Sequence, residues 1–193
     1  SGKTETKVSA ETEVTTEKAT EKAAEKASEK ASEAAGEQKA SNFSVSDKSL
    51  EFTTENLALE SVDSSIFGEK DLTVLNVWGT FCGPCINEMP ELQKIYESLP
   101  KNANLIGIVA DVPEGMKDGV DNANYIEKQT GVKYTNLTLS DSLSSFAKRF
   151  YAVPSTIFVD KNGNIIGELV MGADIDAYVR NLQNVLTDWK YES

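Results

Sequence analysis

The sequence predicts an α/β fold: a mixed central sheet with helices on both faces, preceded by a low-complexity N-terminal spacer. Three observations predict it. Residues 1–40 contain no Phe, Trp, Tyr, Leu, Ile, Met or Cys, so the material for a core begins after them. Beyond that point, two apolar runs of strand length, Leu72–Trp78 and Asn104–Ala110, alternate with amphipathic helical stretches. Near the C-terminus, two further strand-like runs flank Asp160-Lys161-Asn162-Gly163, a strong hairpin signal.

The chain of 193 residues is therefore one domain, residues 41–193, behind a spacer of residues 1–40. A segment without large apolar groups cannot offset its ordering entropy by burial. The unit Glu-Lys-Ala-(Thr/Ala/Ser) recurs four times from Glu17 to Ser32. These are helix formers, and each Lys precedes the next Glu by three residues. The segment reads either as a solvated, partly helical spacer ending at Gly36 or as plain disorder. The chain begins at Ser1 without an apolar leader, which reads as a processed end. A charged spacer suits tethering to a membrane surface, for instance through a lipidated Cys preceding Ser1 in a precursor.

Within the domain the expected order is as follows. Leu50–Thr54 reads as a short strand and Ser64–Phe67 as a short helix. Leu72–Trp78 reads as a strand. Cys85–Leu99 carries Ile86, Met89, Leu92, Ile95, Tyr96 and Leu99 at helical spacing. Asn104–Ala110 is a second buried strand, and Asp111–Asn122 reads as a loop whose acidic residues are solvated, steer basic partners or bind a cation. A helix ends over Tyr125–Thr130 before Gly131. Val132–Thr138 reads as a short strand and Ser142–Phe150 as a helix. The hairpin strands are Ser155–Val159 and Asn164–Val170. Asp174–Trp189 is a helix with Ile175, Tyr178, Val179, Leu182, Val185, Leu186 and Trp189 on one stripe.

Composition removes several function classes. The chain has no His, which excludes Ser-His-Asp and Cys-His catalysis, His metal sites and c-type haem attachment. Its two cysteines cannot close a four-thiolate zinc site alone. With 19 Lys+Arg against 31 Asp+Glu and no basic run, it is a poor candidate for nucleic acid. No stretch is long and apolar enough to span a bilayer.

The chemistry concentrates at Cys82-Gly83-Pro84-Cys85, between a buried-type strand and a helix. A cysteine at a helix N-terminus meets unpaired N–H groups and the positive end of the dipole, which stabilise a thiolate. Cys85, one turn further on, is placed to attack a mixed disulfide on Cys82 and release the partner. A purely structural disulfide closing so short a loop gains little. Glu88 follows Cys85 by three residues and shares its helix face, either as a proton carrier for the inner thiol or as a solvated glutamate.

The stretch Leu75-Asn76-Val77-Trp78-Gly79-Thr80-Phe81-Cys82-Gly83-Pro84-Cys85-Ile86-Asn87-Glu88-Met89-Pro90-Glu91-Leu92 resembles the active-site signature of TlpA/ResA-like extracytoplasmic thioredoxins, within the AhpC/TSA–Redoxin superfamily. Val153-Pro154-Ser155-Thr156-Ile157-Phe158-Val159-Asp160 resembles that family's later V-P-x-T segment, and the likeness covers roughly residues 43–190. The resemblance implies a thioredoxin-like fold and a thiol–disulfide oxidoreductase. Cys82 would be the attacking thiol and Cys85 the resolving thiol, with no cofactor beyond their disulfide. Pro154 would be a cis-proline whose neighbour Val153 offers main-chain groups to substrate, the bland alternative being a strand-entry proline. Trp78 would flank the site, or simply pack in the core. Where ordinary thioredoxins carry a buried Asp, this chain has Asn76, and the resemblance implies that Glu88 would supply the acid from the helix. Pro90 is the kink proline of that helix.

The resemblance also implies partners and place: protein thiols and disulfides such as those of apocytochrome c or a methionine sulfoxide reductase, a membrane electron donor, and an extracytoplasmic, membrane-tethered monomer. The Gly-Pro dipeptide between the cysteines resembles reducing thioredoxins, so reduction or exchange is the expected direction. Two alternatives remain at this point, a non-catalytic thioredoxin-fold binding or assembly module and a peroxiredoxin-like thiol peroxidase. Against the peroxidase, no P-x-x-x-T-x-x-C motif precedes the helix.

Overall fold

A computed structural model of the chain describes Gly2 and residues 50–191. Apart from Gly2, the spacer expected over residues 1–40, with its helical run, lies outside the described residues. The elements in order are β1 (Thr53–Glu55), β2 (Ser61–Asp63), a 3₁₀ turn (Ser64–Glu69), β3 (Leu72–Trp78), α1 (Gly83–Ser98), β4 (Ala103–Pro113) and α2 (Lys117–Thr130). They continue with β5 (Asn136–Leu139), α3 (Asp141–Ala147), β6 (Ser155–Asp160), β7 (Ile165–Met171) and α4 (Ile175–Val185).

The main sheet runs β5-β4-β3-β6-β7. The β3–β4 and β4–β5 pairs are parallel, and β3–β6 and β6–β7 are antiparallel. Strand β3 sits at the centre and is buried at every position, as its unbroken apolar run requires. Its two sets of alternating side chains enter different environments. Leu72, Val74 and Trp78 join the core cluster with Met89, Leu92 and Ile95 of α1, Val120, Ala123 and Ile126 of α2, and Tyr178 and Leu182 of α4. Leu75 and Val77 lie outside that cluster yet are equally buried, as are Phe52, Phe67, Leu143 and Phe146 from the chain before β3 and from α3. Both faces of the sheet are thus covered.

Several boundaries differ from expectation for local reasons. The first strand begins at Thr53, because Leu50 gives its N–H to Gly163 O while Thr53–Glu55 pairs with Ser61–Asp63. The Asn56 side chain folds that hairpin by accepting from Ala58 N and Glu60 N at 2.9 and 3.0 Å. The expected loop Asp111–Asn122 is corrected: β4 continues to Pro113, and α2 starts at Lys117. This helix hides in the sequence because it buries only Val120, Ala123 and Ile126 and opens on Asp118 and Gly119 without a side-chain cap. Helix α4 begins where Asp174 caps it, its Oδ1 accepting from Ala177 N at 2.9 Å, but ends at Val185. Trp189 lies past its end, buried, with Nε1 donating to Ser98 O at 3.0 Å.

Candidate active site

Strand β3 delivers the chain to the turn Gly79–Phe81, and α1 then begins with Cys82 as its N-cap. Cys82 Sγ accepts from Cys85 N at 3.2 Å, satisfying one of the unpaired donors of the first turn. Pro84 occupies that first turn, where an N–H is not needed. The two sulfurs form a disulfide of 2.07 Å. Cys82 retains 6% exposure and Cys85 1%, so Cys82 is the sulfur an external thiol reaches first. Asp111 at the end of β4 anchors the turn from the side. It accepts from Thr80 N at 2.9 Å and from the Thr80 hydroxyl at 2.5 Å.

A second loop closes over the disulfide. The Val153–Pro154 peptide bond is cis. Val153 O lies 3.6 Å from Cys82 Sγ, and Pro154 O accepts from Gly172 N at 2.8 Å. Phe81, immediately before Cys82, and Tyr151, two residues before Val153, expose 73% and 74% of their surface. An apolar rim of this kind suits contact with another polypeptide.

Glu88 lies one turn along α1 from Cys85, and both are buried. Its carboxylate is held by two donors from distant elements. Asn76 Nδ2 of β3 reaches Oε1 at 3.2 Å, and the Tyr178 hydroxyl of α4 reaches Oε2 at 3.1 Å. Asn76 Nδ2 also donates to Thr156 Oγ1 of β6 at 3.0 Å. Burial pushes the Glu88 carboxyl up to about 7, and the donors Tyr178 and Asn76 only partly oppose this. Burial, reinforced by the nearby Glu88 charge, also raises Tyr178 well above a phenol's usual range, so its hydroxyl keeps its proton.

Trp78 gives a correction. It is fully buried, its indole N–H donates to Asn136 Oδ1 at 2.7 Å, and Asn136 Nδ2 donates to Glu127 Oε1 at 2.8 Å. With no exposed surface it cannot flank a docked substrate; it supports the site from beneath. Gly107 on β4 makes room for this network, since a Cβ there would stand 1.7 Å from Asn136 Oδ1. The acidic stretch also comes apart. Asp111 anchors Thr80, while Asp121 pairs with Lys117 on the exposed face of α2. Among the described residues, no group of three or more His, Cys, Asp or Glu is placed to hold a metal ion.

The structure therefore gathers Cys82, Cys85, Glu88, Val153 and Pro154, and sets Trp78 apart. Sequence reasoning missed Thr80, Asp111, Thr156 and the hydroxyl of Tyr178. Tyr178 was visible only as one member of the α4 stripe. The available signal was that a buried Tyr, unlike Leu or Phe, needs a partner for its hydroxyl.

Comparison with known proteins places the chain in a family and identifies its fold. Residues 38–167 match the AhpC/TSA family. The thiol-disulfide oxidoreductase ResA of Halalkalibacterium halodurans is 26% identical over 122 residues, covering 62% of this chain and 65% of that protein. The sporulation thiol-disulfide oxidoreductase A of Bacillus subtilis is 25% identical over 112 residues, covering 55% of this chain and 64% of that protein. The chain thus spans just under two-thirds of the length of these two relatives. Among solved structures, a DsbF homologue from Corynebacterium diphtheriae superposes with a TM-score of 0.59 at 23% identity, covering 71% of this chain and 85% of that one. A thiol-disulfide oxidoreductase from Bacteroides fragilis superposes with a TM-score of 0.57 at 20% identity, covering 72% and 100%. The fold is thioredoxin-like.

Proposed function

This chain belongs to the AhpC/TSA family, and from that premise we propose that it is a thiol–disulfide oxidoreductase working through Cys82 and Cys85. The observation that carries the reading is the Cys82–Cys85 disulfide at the N-terminus of α1, with Cys82 the outer sulfur and a buried carboxyl one turn below Cys85. The relatives named as thiol-disulfide oxidoreductases support it.

In the reducing direction, the Cys82 thiolate attacks one sulfur of a substrate disulfide. A Cys82–substrate bond forms, and the other substrate sulfur leaves as a thiolate. Cys85 then attacks Cys82 Sγ, the Cys82–Cys85 disulfide forms, and the second substrate sulfur leaves. Two electrons pass from the dithiol to the substrate, and its two departing thiolates take up protons from solvent. Glu88 takes the proton of Cys85 as that thiol becomes a nucleophile and returns it when the site is reduced again. The helix terminus, rather than an imidazolium, activates Cys82. Val153 offers its carbonyl beside Cys82 to a docked main chain, and Pro154 shapes that groove.

The substrates are protein disulfides outside the cytoplasm, and the reductant is a membrane electron donor reached from a tether preceding the domain. The exposed Phe81 and Tyr151 beside the dithiol favour a polypeptide over a small peroxide. Insulin-disulfide reduction by the wild type and by Cys82→Ser tests the activity. The wild type turns over and the variant does not; equal inactivity of both overturns the reading. Cys85→Ser holds the mixed disulfide on Cys82, and mass spectrometry of the trapped adduct names the substrate.

A further inference from the structure

The Tyr178 hydroxyl has one proton and two acceptor groups, the Glu88 carboxylate and the Gly172 carbonyl. Glu88 Oε2 lies 3.1 Å away and Gly172 O 2.9 Å away. Gly172 N in turn donates to Pro154 O at 2.8 Å. A single tyrosine thus bridges the buried acid and the loop that lies over Cys82. We propose that Tyr178 is a positioning residue whose hydroxyl switches between Glu88 and Gly172, transmitting the protonation state of Glu88 to the Val153–Pro154 loop. The inference rests on the oxidoreductase reading for its purpose, but not for its physics.

The proton count permits the switch. When Glu88 is ionised it accepts only, and Tyr178 donates to it. When Glu88 takes the Cys85 proton, a carboxylic O–H faces the Tyr178 oxygen. Glu88 then donates to that oxygen, and the Tyr178 proton turns to Gly172 O. No proton leaves Tyr178 in either state, consistent with a phenol held well above its usual range. The titratable groups facing Glu88 are Tyr178 from α4 and Tyr134 from the segment before β5, while Cys85 on its own helix is held in the disulfide. Asn76 from β3 donates to Glu88, and Thr156 from β6 contributes a hydroxyl to Tyr178. Burial also raises Tyr134 above a phenol's usual range, and its hydroxyl has no hydrogen-bond partner among the described residues. Tyr178 is thus the titratable donor that links Glu88 to Gly172.

Tyr178→Phe keeps the buried ring and removes the switch. The oxidised protein is the right sample, because its disulfide cysteines do not titrate and no turnover is needed. Carbon-13 NMR follows the Glu88 carboxyl. Losing a donor to the charged form should raise its midpoint by about one pH unit, a tenfold change in the equilibrium. In the wild type, the Tyr178 ring carbon bearing the hydroxyl and the Gly172 amide should titrate with the Glu88 midpoint, and both responses should vanish in Glu88→Gln. An unmoved Glu88 midpoint in Tyr178→Phe overturns the proposal. So does a Tyr178 signal that stays flat in the wild type, and that measurement decides the matter if the variant does not fold. Insulin reduction is measured on the same proteins. Inactivity of the wild type there counts against the oxidoreductase reading alone, while the NMR titrations decide the switch.

Discussion

Replacing Glu88 by Gln should make the protein more stable at neutral and alkaline pH, although it removes a group at the heart of the site. A carboxyl carried from its ordinary 4.5 to about 7 is one the folded state prefers protonated. Between those values the folded protein holds a proton that the unfolded chain has released, so stability falls as pH rises through the window. Below it both states are protonated and the cost is absent; above it the cost is complete. At roughly 1.4 kcal/mol per pH unit, the full cost of the buried charge is about 3 kcal/mol. The isoelectric point is near 4.5, so measurements are best begun at pH 5.5 for solubility. By then about 1 kcal/mol has been lost, leaving about 2 kcal/mol to appear by pH 8. Glu88→Gln has no such term, and any hydrogen bond the amide fails to reproduce is a constant offset. Glu127, also raised by burial, titrates alike in both proteins and cancels. The assay is urea unfolding of the oxidised proteins at pH 5.5 and 8. With a slope of roughly 2 kcal/mol/M, the two midpoints should move relative to each other by about 1 M. A gap that stays constant over this range would refute the assignment of a raised carboxyl to Glu88.

Two further variants test the supports of the site. Gly107→Ala drives a methyl into Asn136 Oδ1 and displaces the partner of Trp78; it should cost about 1–3 kcal/mol in urea unfolding and change Trp78 fluorescence. Asp111→Ala frees the N–H and hydroxyl of Thr80; it should cost about 2 kcal/mol and slow insulin reduction more than it alters substrate affinity, because the loosened turn carries Cys82.

The parts of the fold legible in the sequence were those whose burial is continuous. Leu72–Trp78 is read correctly to the residue because every position of β3 is buried, so no polar face blurs its ends. The hairpin around Gly163 is equally plain: that glycine has φ +81°, and Asp160 Oδ1 accepts from Asn162 N and Asn164 N. Helix α2 was obscured because it rests on the sheet along a narrow line and is otherwise solvated. The end of α4 was obscured for the opposite reason. Trp189 continues the apolar stripe in sequence, but it is buried by the chain turning back toward the end of α1, not by another helical turn.

The same distinction governs the site. Cys82, Cys85 and Glu88 were legible because one helix sets their spacing, and helix geometry is known before the fold is. What tunes Glu88 was not, because Asn76, Thr156 and Tyr178 come from three elements brought together only by the sheet and α4. Asn76 shows what that assembly is for. Its Nδ2 serves both Glu88 and Thr156, while its Oδ1 is buried without a partner among the described residues, an arrangement that costs about 1–3 kcal/mol. Turning the amide over would give Oδ1 the Thr156 hydroxyl but aim an acceptor at Glu88, which suits only the protonated acid. The observed orientation, with the Tyr178 hydroxyl beside it, points two donors at the carboxylate. The site therefore gives up stability to restrain the rise that burial imposes, and Glu88 stays near 7 instead of being locked as a neutral acid. The proton role proposed for Glu88, taking a proton from Cys85 and later returning it, calls for a group that titrates in that range, and the chain has no histidine to supply one.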